Sequence, residues 1–224
     1  MKKSILILIS FMYVLVNSSH AEIGVNVGIS GSAGLFAASG KEVDTSTGGT
    51  PASETSNGSE HGEAAWGSIF IEKTLGDRLT IGVDYVPASL ETETAESTKQ
   101  DKTTTDTRTA KENKIQIDFE DLTTYYVALN VTENAYIKAG IAQVDVITNE
   151  NLATGSSYGN TSLDGTVYAV GYNKNFDNTM FLRVEGTYMD FDGASLTSTT
   201  NSDNKITLKS LDGVSGKISI GKSF

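Results

Sequence analysis

Apolar and polar residues alternate with a period of two along six stretches of this chain, and no other feature narrows its fold so far. From Ile23 to Leu35 the odd positions are Ile23, Val25, Val27, Ile29, Gly31, Ala33 and Leu35, while the even ones are only Gly, Ser and Asn. The same rhythm returns over Leu79–Tyr85, Thr124–Val131, Tyr136–Ile141, Met180–Tyr188 and Val214–Phe224. Successive side chains of a strand point to opposite faces, so each stretch predicts a strand lying between two unlike environments. Two further segments, about 64–75 and 164–175, complete a set of eight. Their phase is less regular, because Trp66 and Phe70 share a face with Ser68 and Glu72.

The connections alternate as well. Gly76-Asp77-Arg78, Thr132-Glu133-Asn134 and Asp177-Asn178-Thr179 are short and built of turn formers. The other four, about 38–63, 88–114, 148–163 and 192–209, are long, poor in aliphatics and rich in Thr, Ser, Gly, Asp and Glu. Their composition is that of loops with partial disorder. The inner ends are expected to continue as strands, as Ile115, Ile117 and Phe119 suggest for the second. An even number of antiparallel strands, with short turns at one end and long loops at the other, is the layout of an outer-membrane barrel.

The start of the chain agrees. Met1-Lys2-Lys3 is followed by an apolar run of about 12 residues, Ile5 to Val16, and then by the small residues Ser19 and Ala21. That run is shorter than the ~20 residues a membrane-spanning helix needs. Residues 1–21 therefore read as a cleavable secretory signal, leaving 22–224 as a single barrel domain that opens on Glu22. Without Lys2 and Lys3 the chain carries 15 basic against 28 acidic residues, a formal charge of −13. Such a balance excludes nucleic acid as a natural partner and favours attraction of cations. With no cysteine there is no disulfide framework and no thiolate metal site.

A sheet in lipid must close on itself, because edge N–H and C=O groups have no water to bond. The first strand is therefore expected to pair with the last. Eight strands enclose an interior just wide enough for side chains to fill. Gly and Ser of the first strand face the bulk of Tyr126, Tyr136, Phe181, Arg183 and Glu185 there. The charged residues Asp84, Lys138, Arg183, Glu185 and Lys217 all fall on the inner face. Facing lipid at the midplane, a Lys or Arg would cost about 2–4 kcal/mol, whereas inside they can pair. Arg183 and Glu185, two apart, point the same way. Tyr85, Tyr125, Tyr172 and Tyr188 are candidates for the aromatic rims of the outer face.

The last strand, Val214-Ser215-Gly216-Lys217-Ile218-Ser219-Ile220-Gly221-Lys222-Ser223-Phe224, resembles the C-terminal β-signal of outer-membrane proteins, with Lys222 departing from the usual apolar position. The resemblance implies recognition by the β-barrel assembly machinery through Ile218, Ile220 and Phe224. The mature chain as a whole resembles the OmpA/OmpX-type superfamily of small eight-stranded outer-membrane barrels. That implies a Gram-negative bacterium, the outer membrane as location, lipid as surroundings, and a closed antiparallel up-and-down transmembrane barrel, monomeric, with short periplasmic turns and long extracellular loops.

Enzyme chemistry finds little support in the residues. Barrels of this size that act on lipid A or peptides lean on a histidine, and the one histidine after the signal, His61, sits in a loop-like stretch between Glu60 and Gly62. No cofactor motif is present. Glu91, Glu93, Glu96, Asp101 and Asp106 could gather divalent cations, but without the ligand spacing of a built calcium loop. The expected role is a structural scaffold presenting acidic, Thr/Ser-rich surface loops. The alternative is a narrow passive pore for ions or small solutes, cation-preferring, lined by the five luminal charges.

Overall fold

A computed structural model describes residues 24–45, 53–101, 109–152, 156–200 and 202–224. The signal segment 1–21, Glu22 and Ile23 lie outside them. The described residues form eleven strands: β1 (Val25–Thr45), β2 (Ser53–Leu75), β3 (Leu79–Tyr85), β4 (Leu90–Glu91), β5 (Ala95–Asp101), β6 (Thr109–Asn130), β7 (Ala135–Leu152), β8 (Thr161–Asn175), β9 (Met180–Phe191), β10 (Ala194–Thr197) and β11 (Lys205–Ser223). Eight of them pair in the order β1-β2-β3-β6-β7-β8-β9-β11, and β11 pairs back onto β1. Every neighbour is antiparallel, so the sheet is an up-and-down ring. The closing seam is long: Asn26 lies opposite Ser223, Val43 opposite Lys205, with one slip at Ser39/Gly40. Val25 and Phe224 exchange two backbone hydrogen bonds at its base.

The short turns stand where the turn formers are. Gly76 takes a φ of 64° after β2, a value that a residue without Cβ adopts freely. At the other two turns the Val131 N–H donates to Ala135 O and the Phe176 N–H to Met180 O, the first residues of β7 and β9. The long connections differ from the loop reading. β1 runs to Thr45 and β2 starts at Ser53, β6 starts at Thr109, β7 runs to Leu152, and β11 starts at Lys205. Thr and Ser are β-branched or small and tolerate a pleated ribbon, so a polar composition did not keep these segments out of the sheet. Strand β10 pairs β11, and β4 and β5 pair β6, well above the turn end.

The irregular phase of 64–75 resolves simply. Trp66, Ser68, Phe70 and Glu72 are all buried on the inner face of the ring. Six large rings each lie over a glycine directly across the ladder: Phe36 over Gly213, Phe70 over Gly28, Tyr126 over Gly82, Tyr136 over Gly171, Phe181 over Gly221 and Phe191 over Gly165. A Cβ on Gly82 would stand 2.5 Å from the Tyr126 ring. The narrow interior is thus filled by pairing the largest side chains with the residue that has none.

The interior has two storeys. Towards the turns it is polar, with Asn26, Ser30, Ser68, Glu72, Asp84, Lys138, Glu185 and Ser219 buried. Towards the long arms it is an apolar core of Trp66, Val86, Leu122, Ala142, Val144, Val146, Leu163, Val167, Met189, Phe191 and Leu211.

Candidate functional site

The inward charges meet in the lower storey. Arg183, on β9, forks onto Glu72 of β2, with Nη1 donating to Oε1 at 2.6 Å and Nη2 to Oε2 at 3.0 Å. Lys138 of β7 donates to Glu185 of β9, and Lys217 of β11 donates to Asp84 of β3 at 2.8 Å. None of these pairs joins adjacent strands; each reaches across the interior. Both carboxylates at the centre are fully enclosed, with the Glu72 and Glu185 side chains 1% exposed.

Neutral groups complete the set. Tyr126 donates its hydroxyl to Glu72 Oε1 at 2.7 Å and Asn26 donates to Oε2 at 3.1 Å. Tyr136 donates to Glu185 Oε2 at 2.7 Å and Thr187 donates to Oε1 at 3.1 Å. The Arg183 guanidinium also packs between rings, 5.0 Å from Phe181, 5.3 Å from Tyr136 and 5.6 Å from Phe70. A buried charge survives only when paired and hydrogen-bonded, and both central carboxylates meet that condition.

All five charges singled out in the sequence thus lie inside, and each makes one ion pair. Glu72 is the member that sequence reasoning passed over. Its signal was present, since Glu72 shares parity with Ser68, but Trp66 and Phe70 on the same face hid it. The network draws on seven of the eight ring strands, through Asn26, Glu72, Asp84, Tyr126, Lys138, Arg183 and Lys217.

The outer face carries the other half of the pattern. Ile29, Leu35, Ile69, Val127, Leu129, Ile137, Ile141, Val170, Val184, Val214 and Ile218 are all exposed there. Ile218, Ile220 and Phe224 belong to this face, 59%, 47% and 71% exposed. Of the candidate rim tyrosines, Tyr172 and Tyr188 are exposed, and Tyr85 is half-buried with its hydroxyl donating to Asp121 at 2.5 Å. Tyr125 is also half-buried. Tyr168 and Phe176 join the exposed aromatics.

Followed upwards, four of the ring strands reverse their polarity. On β9 the outer residues Leu182, Val184 and Tyr188 give way to Asp190, as inner Arg183, Glu185 and Thr187 give way to Met189 and Phe191. On β7, outer Ile137 and Ile141 precede Gln143 and Asp145, while inner Lys138 precedes Ala142, Val144 and Val146. On β8 the change falls between Tyr168 and Asp164, and on β11 between Val214 and Asp212.

His61 stands exposed on the outer face of β2, beside an open groove of about 540 Å³ lined by Leu35, Ala37, Glu63, Tyr188, Asp212 and Val214. Glu91, Glu93 and Glu96 are exposed, while the Asp101 side chain and Asp106 lie outside what is described. Lys114 hydrogen-bonds Glu96 at 2.6 Å and holds its carboxyl below the ordinary range. Among the described residues no group of three His, Asp or Glu is placed to hold a metal ion.

No family model matches the chain. No curated protein matches it either. Among solved structures it is similar to Ail, the attachment invasion locus protein of Yersinia pestis, in complex with the heparin analogue sucrose octasulfate, at 10% identity and a TM-score of 0.38 over 88% of this chain and 99% of that one. It is similar to the outer membrane protein OprG of Pseudomonas aeruginosa at 14% identity and 0.40, covering 88% and 96%. It is also similar to the outer membrane protease OmpT of Escherichia coli at 9% identity and 0.43, covering 94% and 100%. Likenesses this distant carry no weight beside the strand pairing itself.

Proposed function

We propose that this chain is an integral outer-membrane β-barrel that serves as a structural scaffold and presents acidic, Thr/Ser-rich β-arms at the cell surface. The reversal of polarity along β7, β8, β9 and β11 is the observation that carries this reading. A barrel in water keeps one polarity throughout, with apolar side chains in and polar ones out. A barrel crossing lipid inverts that order within the membrane and restores it where the wall re-enters water. The change at Asp190, Gln143, Asp164 and Asp212 then marks the upper edge of the hydrocarbon, and the arms above stand outside the cell. Phe176 and Phe224 mark the lower, periplasmic edge, beside the short turns.

In this reading residues 1–21 direct export and are removed. Ile218, Ile220 and Phe224 present the assembly signal to the barrel-assembly machinery, and the mature chain works as a monomer in lipid, without cofactor or catalysis. Cations gather diffusely at the acidic arms. The luminal ion pairs hold the barrel's shape. The apolar storey stacked above them supports a closed lumen, because an ion leaving the charged layer would meet only packed hydrocarbon.

Planar-bilayer recording of the refolded mature protein tests scaffold against pore. Heat-modifiable gel migration confirms that the sample is folded. The expected trace is silent. Reproducible cation-favouring steps that change on Arg183→Gln or Glu185→Gln would replace the scaffold with the pore.

A further inference from the structure

Among the described residues, strand β2 is paired along its whole length on one side only. Its register with β1 runs unbroken from Val25↔Lys73 to Thr45↔Ser53. On its other side β3 covers it only from Ile69 to Leu75. Above Ile69 no described strand pairs with that edge.

The cause is local. The Thr74 N–H bonds Gly24 O of β1, so in the alternation of an antiparallel ladder even residues of β2 address β1 and odd ones address the other side. Ile69 and Tyr85 are the last such pair towards β3, and the next would set Gly67 against Pro87. Proline has no N–H to give. Beyond it the chain follows β6, with Val86 N–H bonding Leu122 O and Thr92 N–H bonding Ile117 O.

The edge left over is long and straight. Above the apolar belt, Thr55, Asn57, Ser59, His61 and Glu63 direct their backbone N–H and C=O groups outward from the sheet, and residues 55–63 are exposed on both faces. Natural edges of this length are usually blunted by proline, lysine or a bulge. Residues 53–68 contain no proline, lysine or arginine, and β2 has no register slip against β1. Four exposed carboxylates stand along it, Glu60 and Glu63 on the strand and Glu91 and Glu93 on the arm past Pro87, against two lysines at its far end, Lys41 opposite Asn57 on β1 and Lys209, whose Nζ donates to Asn57 Oδ1 at 3.1 Å.

We infer that the free edge of β2 over residues 55–63 docks an extended, basic segment of another protein by strand addition. Main-chain hydrogen bonds supply the attachment, and Lys or Arg side chains against Glu63 on the outer face, or against Glu60 on the inner one, supply the preference. This names a partner class for the surface arms and rests on the scaffold reading.

The test uses the full mature chain refolded in lipid nanodiscs and a synthetic peptide of alternating Lys and Thr, long enough to cover residues 55–63. Heat-modifiable migration is checked first, so that a protein that does not fold as a barrel counts against the scaffold and not against docking. Saturable binding is expected. It should weaken about tenfold or more when alternate peptide nitrogens are methylated, and similarly on Ser59→Pro or His61→Pro, since proline at an odd position removes an edge N–H while sparing the bonds to β1. An alternating Glu and Thr peptide should not bind. Should Ser59→Pro fail to fold, the methylated peptide decides alone. A folded barrel that ignores the Lys and Thr peptide, or binds it equally after methylation, overturns the inference; the latter result would mean diffuse attraction to acidic surface only.

Discussion

Replacing Arg183 with methionine lowers the folding free energy in lipid by about 3–5 kcal/mol, the usual cost of removing one partner from a buried ion pair. The magnitude follows from what stays behind. Glu72 is 1% exposed and would keep only the hydroxyl of Tyr126 and the amide of Asn26. Two neutral hydrogen bonds do not compensate a carboxylate held away from water. Replacing both partners, with Glu72→Gln added to Arg183→Met, removes the stranded charge and should recover most of the loss. Equilibrium urea unfolding into lipid vesicles measures both. Equal losses in the single and double variants would mean that packing of Arg183 against Phe181, Tyr136 and Phe70, and not its charge, is what the barrel relies on.

On the opposite face, Ile218→Arg should cost about 2–4 kcal/mol, the penalty for arginine near the bilayer midplane on a barrel's lipid face. Ile218 lies between Phe224, at the turn end, and Asp212, where β11 turns polar outside, so it stands near mid-depth. Val184, its cross-strand partner on β9, should behave alike. The same change at Asp190 should cost about 0–1 kcal/mol, as expected near the interface. This gradient separates a lipid-facing wall from an ordinary exposed strand, where a surface arginine would fall within about ±0.5 kcal/mol at every height.

Much of this architecture is written in the alternation. Strands separated by Gly76-Asp77-Arg78 and its two counterparts could be placed because period-2 patterning and turn chemistry are local properties. Closure of β1 onto β11 followed from the cost of an unpaired edge in lipid. The inward placement of Asp84, Lys138, Arg183, Glu185 and Lys217 followed from parity alone. Partner choice did not. Which charge meets which depends on barrel shear and side-chain reach across the interior, and neither is local.

The arms were harder to read for a different reason. A ribbon such as Thr55–Glu63 has water on both faces, so its sequence shows no alternation and resembles a loop. The reversal of polarity was also present in the sequence, in Tyr188-Met189-Asp190-Phe191 and in Ile141-Ala142-Gln143-Val144. There the period of two continues while its phase jumps by one, which reads as noise until the depth of each residue is known. Pro87 ends β3 for a reason equally hidden: only the register with Gly67 shows that its missing N–H falls on the side where β2 would have needed it.

In a membrane barrel the wall of the ring lies in lipid below Asp212 and in water above it. Spin labels placed singly along β11 and read for collision with oxygen and with a water-soluble nickel complex test this placement. In refolded vesicles, labels at Val214, Ile218 and Ile220 should favour oxygen, the label at Asp212 should favour nickel, and those at Ser215 and Ser219 should meet little of either. Equal nickel access at Asp212, Val214 and Ile218 would place the whole wall in water and contradict the membrane barrel.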